Sequence, residues 1–430
     1  MKVYIKRGKG FKGEICIPAD KSISHRAAII GSLASGLTQI RNFNTAADCS
    51  ATLSCLQKIG VEVKENKENE VILKGKDLFG FREPEDILDA QNSGTTARLL
   101  LGLLSGQRFF SVVNGDSSLQ KRPMKRIVDP LRKMGAQIEG RNDGCNLPLA
   151  VKGQNLKGIK FKLPLPSAQL KSAVILAGLL SEGKTEIEEP VLSRDHTERM
   201  LHYLGAEIEK ENEVIRIQGR KEFKAQKIIV PGDFSSACYF VAAALLVEDS
   251  EVVLPDTGVN PTRIGFLKAV KRMGGNIHVH ERKVICNEPL ATLSVSTSEL
   301  KGVEIKAEEI PALIDEIPLV ALLATQAKGI TEVHGASELR VKESDRIRAI
   351  VVNFQRMEID IEEKEDGFII EGPQRLRGAF VESFGDHRIA MAMAVAGLVA
   401  EGITEVKDFD CCGISFPNFY SLLTRWQNNE

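Results

Sequence analysis

A long apolar helix that ends in a small-residue turn and then enters a strand occurs six times along this chain. The turns lie at residues 33–38, 104–106, 180–185, 246–249, 326–331 and 399–404, at intervals of roughly 70 residues. Gly36, Gly106, Gly183, Gly329 and Gly402 mark five of them, and Asp249 takes the sixth. Glycine there suits a left-handed helix C-terminal cap, a conformation that aspartate also visits more readily than most residues. Helix starts correspond as well. Asp20, Ser167, Asp233 and Asp386 each stand 16 positions before the matching turn residue, which makes a helix of about four turns opened by a good N-cap. Asn92 and Asp315 are expected to start the other two helices.

A second helix ends in a shared phrase at residues 56–63, 131–138, 201–208 and 270–277, for example Leu131-Arg132-Lys133-Met134-Gly135-Ala136. A strand with period-two alternation follows each. The repeating unit is therefore close to βαβαββ, a sheet backed by two helices, in an α/β (α+β) chain. At 430 residues with 43% hydrophobic content, two domains are expected. Their boundary follows from a second likeness. Ile15-Cys16-Ile17-Pro18-Ala19-Asp20 resembles Ile228-Ile229-Val230-Pro231-Gly232-Asp233; in both, a strand meets a proline and then a helix cap. Read as two parallel crossings, these give one domain of three units over 19–231. Residues 1–18 join 232–430 in the other, with a hinge near Pro18 and Pro231.

Charge narrows the function. The 57 Lys+Arg against 58 Asp+Glu argue against a broad nucleic-acid surface, so any anion site must come from local clustering. Residues 1–8 lack the apolar core of a signal peptide, and no apolar run approaches the roughly 20 residues that span a bilayer. Eight cysteines without Cys-x-x-Cys read as reduced cytosolic thiols, and seven histidines without ligand spacing give no metal site. A cytoplasmic protein is expected.

The local clusters are two. Lys21-Ser22-Ile23-Ser24-His25-Arg26 puts Lys21, Ser22 and Arg26 at the positive end of a helix dipole, which is unfavourable for cations unless an anion compensates. Leu339-Arg340-Val341-Lys342-Glu343-Ser344-Asp345-Arg346 surrounds Glu343 with Lys342 and Arg346, a setting for a proton shuttle. Around them, Gly94 in Asn92-Ser93-Gly94-Thr95 allows close backbone approach. Arg122 closes the loop that begins at Asn114. Ser167, Ala168 and Gln169 offer a hydroxyl and an amide at a third helix start. Arg194 follows Ser193, and His196 beside it reads as a structural hydrogen-bonder. Asp315-Glu316-Ile317-Pro318 places a carboxylate at a helix start, where it stays ionised and can act as a base. Arg388 again stands at the cation-disfavouring end of a helix.

In this order and across the whole chain, these motifs resemble 5-enolpyruvylshikimate-3-phosphate synthases. The further phrases that carry the resemblance are Lys121-Arg122-Pro123, Ser193-Arg194-Asp195-His196-Thr197 and Asp386-His387-Arg388. The resemblance implies a two-domain inside-out α/β barrel, each domain of three βαβαββ units, that closes over its substrates. It implies transfer of the enolpyruvyl group of phosphoenolpyruvate to the 5-hydroxyl of shikimate 3-phosphate, with no cofactor or metal. By the same resemblance Lys21, Ser22, Arg26, Ser167, Ala168, Gln169, Arg194, Asp315 and Lys342 would hold shikimate 3-phosphate. Lys21, Gly94, Arg122, Gln169, Arg346 and Arg388 would hold phosphoenolpyruvate. Asp315 would take the hydroxyl proton, and Glu343 with Lys21 would handle the proton on the methylene carbon. The partners would be these small molecules, with no nucleic acid and no membrane, and the protein a monomer. Gly94 is the small residue associated with glyphosate sensitivity.

Two departures stand out. Ile414 replaces a lysine found in many members, which removes one phosphoenolpyruvate contact, and Glu338 stands where some have asparagine. The related UDP-N-acetylglucosamine enolpyruvyl transferases have Lys-Asn at the position of Lys21-Ser22. They also typically place a cysteine in the loop from Asn114 to Arg122, which here has none. An RNA-binding array of βαβαββ units would need a basic, aromatic sheet face, yet aromatics are 5% and net charge is −1.

Overall fold

The computed structural model describes residues 1–66 and 68–428. The chain divides into two compact units. One comprises Met1–Pro18, Gly232–Lys283 and Pro289–Glu430; the other comprises Ala19–Pro231 and Val284–Glu288. The last five residues lie inside the stretch that the sequence reading leaves with 232–430. They group with the second unit because Glu288 bonds the buried His196 Nδ1 at 2.8 Å and Arg199 donates to the Asn287 carbonyl at 3.0 Å.

Among the described residues, each unit contains three sheets. In the second unit the sheet orders are Lys227–Ile229, Leu37–Arg41, Val71–Lys74, Glu62–Glu65; then Leu88–Asp89, Phe110–Asn114, Asn146–Lys152, Gln137–Gly140; then Lys160–Lys162, Lys184–Glu188, Val214–Gln218, Ile208–Glu211. In every case the edge strand runs parallel to its neighbour and the other two pairings are antiparallel. That pattern is the βαβαββ unit, its parallel pair bridged by a long helix as parallel strands require. The first repeat takes its edge strand from far away, since Ile228 registers with Ile40.

The first unit repeats the scheme. Lys12–Glu14 pairs parallel with Glu251–Gly258, followed by the long hairpin of Asn276–Ile285 and Glu288–Ser296. Glu304–Ile305, Gly329–Val333, Gly367–Gly372 and Glu362–Lys364 form the second sheet. The third has three strands among the described residues: Phe380–Glu382 parallel to Ile403–Lys407, and Val3–Lys6 antiparallel to the latter.

Six long helices build the cores: Lys21–Leu33, Gly94–Ser105 and Ala168–Leu180 in one unit, Phe234–Leu246, Ile317–Gln326 and His387–Val399 in the other. They are buried nearly all round, as largely apolar helices must be, with polar residues gathered near their starts. Backbones touch where Gly102 meets Ala173: a Cβ at Gly102 would collide with that carbonyl.

Four of the expected caps are in place. Asp20, Ser167, Asp233 and Asp386 each accept from a backbone N–H of the first turn. The other two starts shift. Ser93, not Asn92, caps the second helix, because its hydroxyl reaches Thr96 N at 3.1 Å. Asp315 sits in a short 3-10 turn, Ile314–Glu316, and the α-helix begins after it at Ile317. The turn residues also need correction. Gly36, Gly183, Gly329, Gly402 and Asp249 do adopt positive φ, from 58° to 106°. They lie beyond an extended cap residue, however, so they turn the chain into the strand and do not cap the helix. Gly106 is right-handed. The left-handed helix caps belong to the second helices instead. Gly60, Gly135, Gly205 and Gly274 each close a Schellman motif, and Glu358 at φ 65° closes a fifth.

Among the described residues no helix is long and apolar enough to cross a membrane.

Candidate active site

In the second unit, Lys21, Ser22, Gly94, Ser167, Ala168 and Gln169 sit at helix starts, and Arg122 and Arg194 in loops. Asp20 caps the first long helix through Ile23 N at 2.8 Å, which sets Lys21 and Ser22 in its opening turn. Lys21 Nζ donates to Asp48 Oδ2 at 3.0 Å. The anion demanded by a cation at this dipole end is thus supplied from within the protein, by a carboxylate in the first turn of helix Ala47–Lys58. Arg26 is buried at 3% exposure. Its Nε donates to Thr197 Oγ1 at 2.7 Å, Nη1 to the Ser22 carbonyl at 3.0 Å and Nη2 to Ser172 Oγ at 3.0 Å. Burial pulls its pKa down to about 10, against the opposing field of Glu198, so it stays cationic at neutral pH. Next to it, His25 bonds Thr52 at 2.7 Å. Burial, with the nearby charges of Lys21 and Arg26, holds this imidazole well below its ordinary pKa, hence neutral.

Gly94 begins the second long helix. A Cβ there would come within 2.5 Å of Arg98 Nη1 and 3.5 Å of Arg122 Nη1, so the absent side chain leaves room for two guanidinium groups. Arg122 donates to Asn92 Oδ1 at 2.7 Å, and Asn92 donates to Asp116 Oδ2 at 2.7 Å. Those two bonds fix Arg122 to the loop before Gly94. Ser167 caps the third helix through Leu170 N at 3.3 Å, and Ala168 is its first residue. Gln169 accepts from Arg98 Nη1 at 2.8 Å and donates to Thr95 Oγ1 at 3.0 Å, which ties the second helix start to the third. Arg194 is half-buried, near enough for its charge to oppose that of Arg26. The expected structural role of His196 matches its buried bond to Glu288.

In the first unit Arg346, Arg388, Asp315 and Glu343 share one charged cluster. Arg346, 1% exposed, donates from Nε to Asp386 Oδ2 at 2.7 Å and from Nη1 to Asp315 Oδ1 at 3.3 Å. Its Nη2 makes a short bond to Glu343. Burial alone would lower its pKa; the carboxylates of Asp386 and Glu343 outweigh that and hold it above the ordinary value. Arg388 lies 3.5 Å from Asp315 Oδ2 and donates to the Asp315 carbonyl at 3.4 Å. Here too burial is overcome, chiefly by Asp315, and the guanidinium is held above its ordinary pKa. Glu316, 1% exposed, pairs with Arg263 at 3.2 Å and Ser235. Lys342 follows the short turn Ser337–Val341 and is half-buried.

Sequence reasoning missed several participants: Asp48, Arg98, Ser172, Ser235 and Arg263, and the second duty of Asp386. Their partners lie far off in sequence: Asp48 answers Lys21 from 27 positions away, Ser172 answers Arg26 from 146, Arg98 answers Gln169 from 71, Asp386 answers Arg346 from 40, and Ser235 and Arg263 join Glu316 from 81 and 53. Chemically, the second unit presents guanidinium and ammonium groups beside amide and hydroxyl donors, which suits phosphate and carboxylate recognition. Two carboxylates of the first unit, Asp315 and Glu343, are held by one guanidinium and suit proton transfer.

The fold is that of the enolpyruvyl transferases. The enolpyruvyl transferase NikO from Streptomyces tendae superposes with a TM-score of 0.80 over 99% of this chain and 97% of that one, at only 16% identity. More specifically, the chain belongs to the EPSP synthase (3-phosphoshikimate 1-carboxyvinyltransferase) family, whose profile matches residues 5–423. Similar solved structures include EPSP synthase from Acinetobacter baumannii, with a TM-score of 0.89 and 41% identity over 99% of this chain and 98% of that one. The 3-phosphoshikimate 1-carboxyvinyltransferase of Persephonella marina is 50% identical over 100% of both chains, and that of Petrotoga mobilis 48% identical over 99% of both. The chain is an enzyme of the shikimate pathway to aromatic amino acids.

Proposed function

We propose that this enzyme moves the enolpyruvyl group of phosphoenolpyruvate onto the 5-hydroxyl of shikimate 3-phosphate by addition and elimination, releasing phosphate. Family membership over nearly the whole chain supports the reaction. One observation supports the assignment of roles: Arg346 bonds both Asp315 and Glu343, which puts two acid–base candidates on a single guanidinium.

Lys21, Ser22, Arg26, Ser167, Ala168, Gln169, Arg194, Asp315 and Lys342 bind shikimate 3-phosphate. Lys21, Gly94, Arg122, Gln169, Arg346 and Arg388 bind phosphoenolpyruvate. Fixing both reactants converts a bimolecular encounter into an oriented one. Asp315 takes the proton from the attacking hydroxyl. Attack at the enol carbon develops cationic character there, so the methylene carbon must gain a proton in step; Glu343 and Lys21 supply it and later remove one as phosphate leaves. Cations that hold the phosphate stabilise its growing charge. The protein acts as a monomer in the cytoplasm, on small molecules, without nucleic acid or membrane.

The test is phosphate release from phosphoenolpyruvate, measured with shikimate 3-phosphate or with UDP-N-acetylglucosamine as acceptor. Release is expected with the first alone; release confined to the second overturns the proposal.

A further inference from the structure

Lys171 lies in the helix Ala168–Leu180, two positions after Gln169, yet its side chain turns inward and is 0% exposed. A lysine is almost never fully buried unless paired. Here Nζ reaches Glu189 Oε1 at 2.8 Å, Glu189 Oε2 at 3.0 Å, Glu198 Oε1 at 2.7 Å and the Ser193 carbonyl at 3.4 Å. Glu189 in turn accepts from Ser193 N at 2.9 Å, Ser193 Oγ at 2.6 Å and Lys210 Nζ at 3.2 Å. Burial would raise the Glu189 carboxyl; Lys171 and Ser193 outweigh it and hold it below its ordinary pKa.

This network grips the chain on both sides of Arg194. Ser193 precedes that arginine and is held through backbone and side chain alike. Glu198 follows it, next to Thr197, whose hydroxyl accepts from Arg26 Nε and bonds Ser172. Simple fold stabilisation is a poor account of such a site, since well-packed apolar residues replace buried ion pairs at little or no loss. Rigidly positioned binding groups, by contrast, need a supporting layer of fixed bonds. We infer that the buried Lys171–Glu189–Glu198 network is a positioning device for Arg194 and Arg26, and so sets affinity for the phosphorylated shikimate. This rests on the assignment of those two arginines to shikimate 3-phosphate.

The test uses Glu189→Gln in the full chain, with shikimate 3-phosphate binding measured by calorimetry and KM for phosphoenolpyruvate by phosphate release. Shikimate 3-phosphate Kd is expected to rise about tenfold, with KM for phosphoenolpyruvate within about twofold. Combined with Arg194→Ala, the two losses should be less than multiplicative, as for groups that act as a unit. Should the single variant fail to fold, Lys171→Met with Glu189→Gln removes one cation and one carboxylate together and leaves Glu198 to face Arg26; the same rise is expected. A lowered melting temperature with unchanged Kd overturns the inference, provided Arg194→Ala alone weakens binding. If Arg194→Ala also leaves Kd unchanged, the assignment of Arg194 itself is overturned, and the inference with it.

Discussion

Arg346 and Asp386 meet edge to edge: Nε donates to Oδ2 at 2.7 Å and Nη2 to Oδ1 at 3.4 Å, with both side chains at or near zero exposure. The same Oδ1 accepts from Arg388 N at 2.9 Å. One carboxylate therefore caps the last long helix and orients the guanidinium that holds Asp315 and Glu343.

Asp386→Ala should cost about 3–5 kcal/mol, the usual penalty for stranding one member of a buried ion pair. Chemical denaturation measures it. In the variant, kcat/KM for phosphoenolpyruvate should fall at least tenfold, about 1.4 kcal/mol of lost transition-state binding, because Arg346 is no longer aimed.

Lys21→Ala and Glu343→Ala should abolish turnover in the phosphate-release assay, whereas Arg26→Ala should chiefly weaken shikimate 3-phosphate binding. Near-normal kinetics in all three would reject the proposed roles.

Glyphosate should inhibit competitively with phosphoenolpyruvate. A methyl group in Gly94→Ala would displace Arg98 and touch Arg122, so the inhibition constant should rise by about tenfold or more. Steady-state inhibition patterns for both proteins check this.

His25 gives a pH prediction. Its folded pKa is depressed, so below its unfolded value of about 6.5 the unfolded chain binds a proton that the folded chain does not. The stability from this site is present above pH 6.5 and is lost as pH falls from there toward the folded pKa, by up to about 1.4 kcal/mol per pH unit. Melting temperatures of the wild type and His25→Gln, measured from pH 7 to 5, should show the variant losing less on acidification.

Caps such as Asp20 and Ser167 could be read from the sequence because the bond they make is local, three positions onward. The period of the long helices was equally plain, since apolar runs and turn residues recur at fixed spacing. Two things were not legible. Gly36, Gly183, Gly329 and Gly402 look like helix caps by type, but the chain first passes through an extended residue, a backbone choice that no side chain announces. Partners of the candidate cations were hidden for a different reason. Lys21 finds Asp48, Arg26 finds Ser172 and Arg346 finds Asp386 only once helices from separate stretches have packed. Sequence could name the residues at the helix starts; it could not say which carboxylate answers which cation.

Strand Val3–Lys6 completes its sheet only by pairing with Ile403–Lys407, Val3 against Val406. Those segments leave the ribosome about 400 residues apart, and at roughly 5–20 residues per second the earlier one waits tens of seconds for its mate. The inserted unit, by contrast, obtains its closing edge strand at Lys227–Ile229, well before Ile403–Lys407 is made. Synthesis thus imposes an order: residues 19–231 can settle first, while Val3–Lys6 must wait for Ile403–Lys407 to emerge.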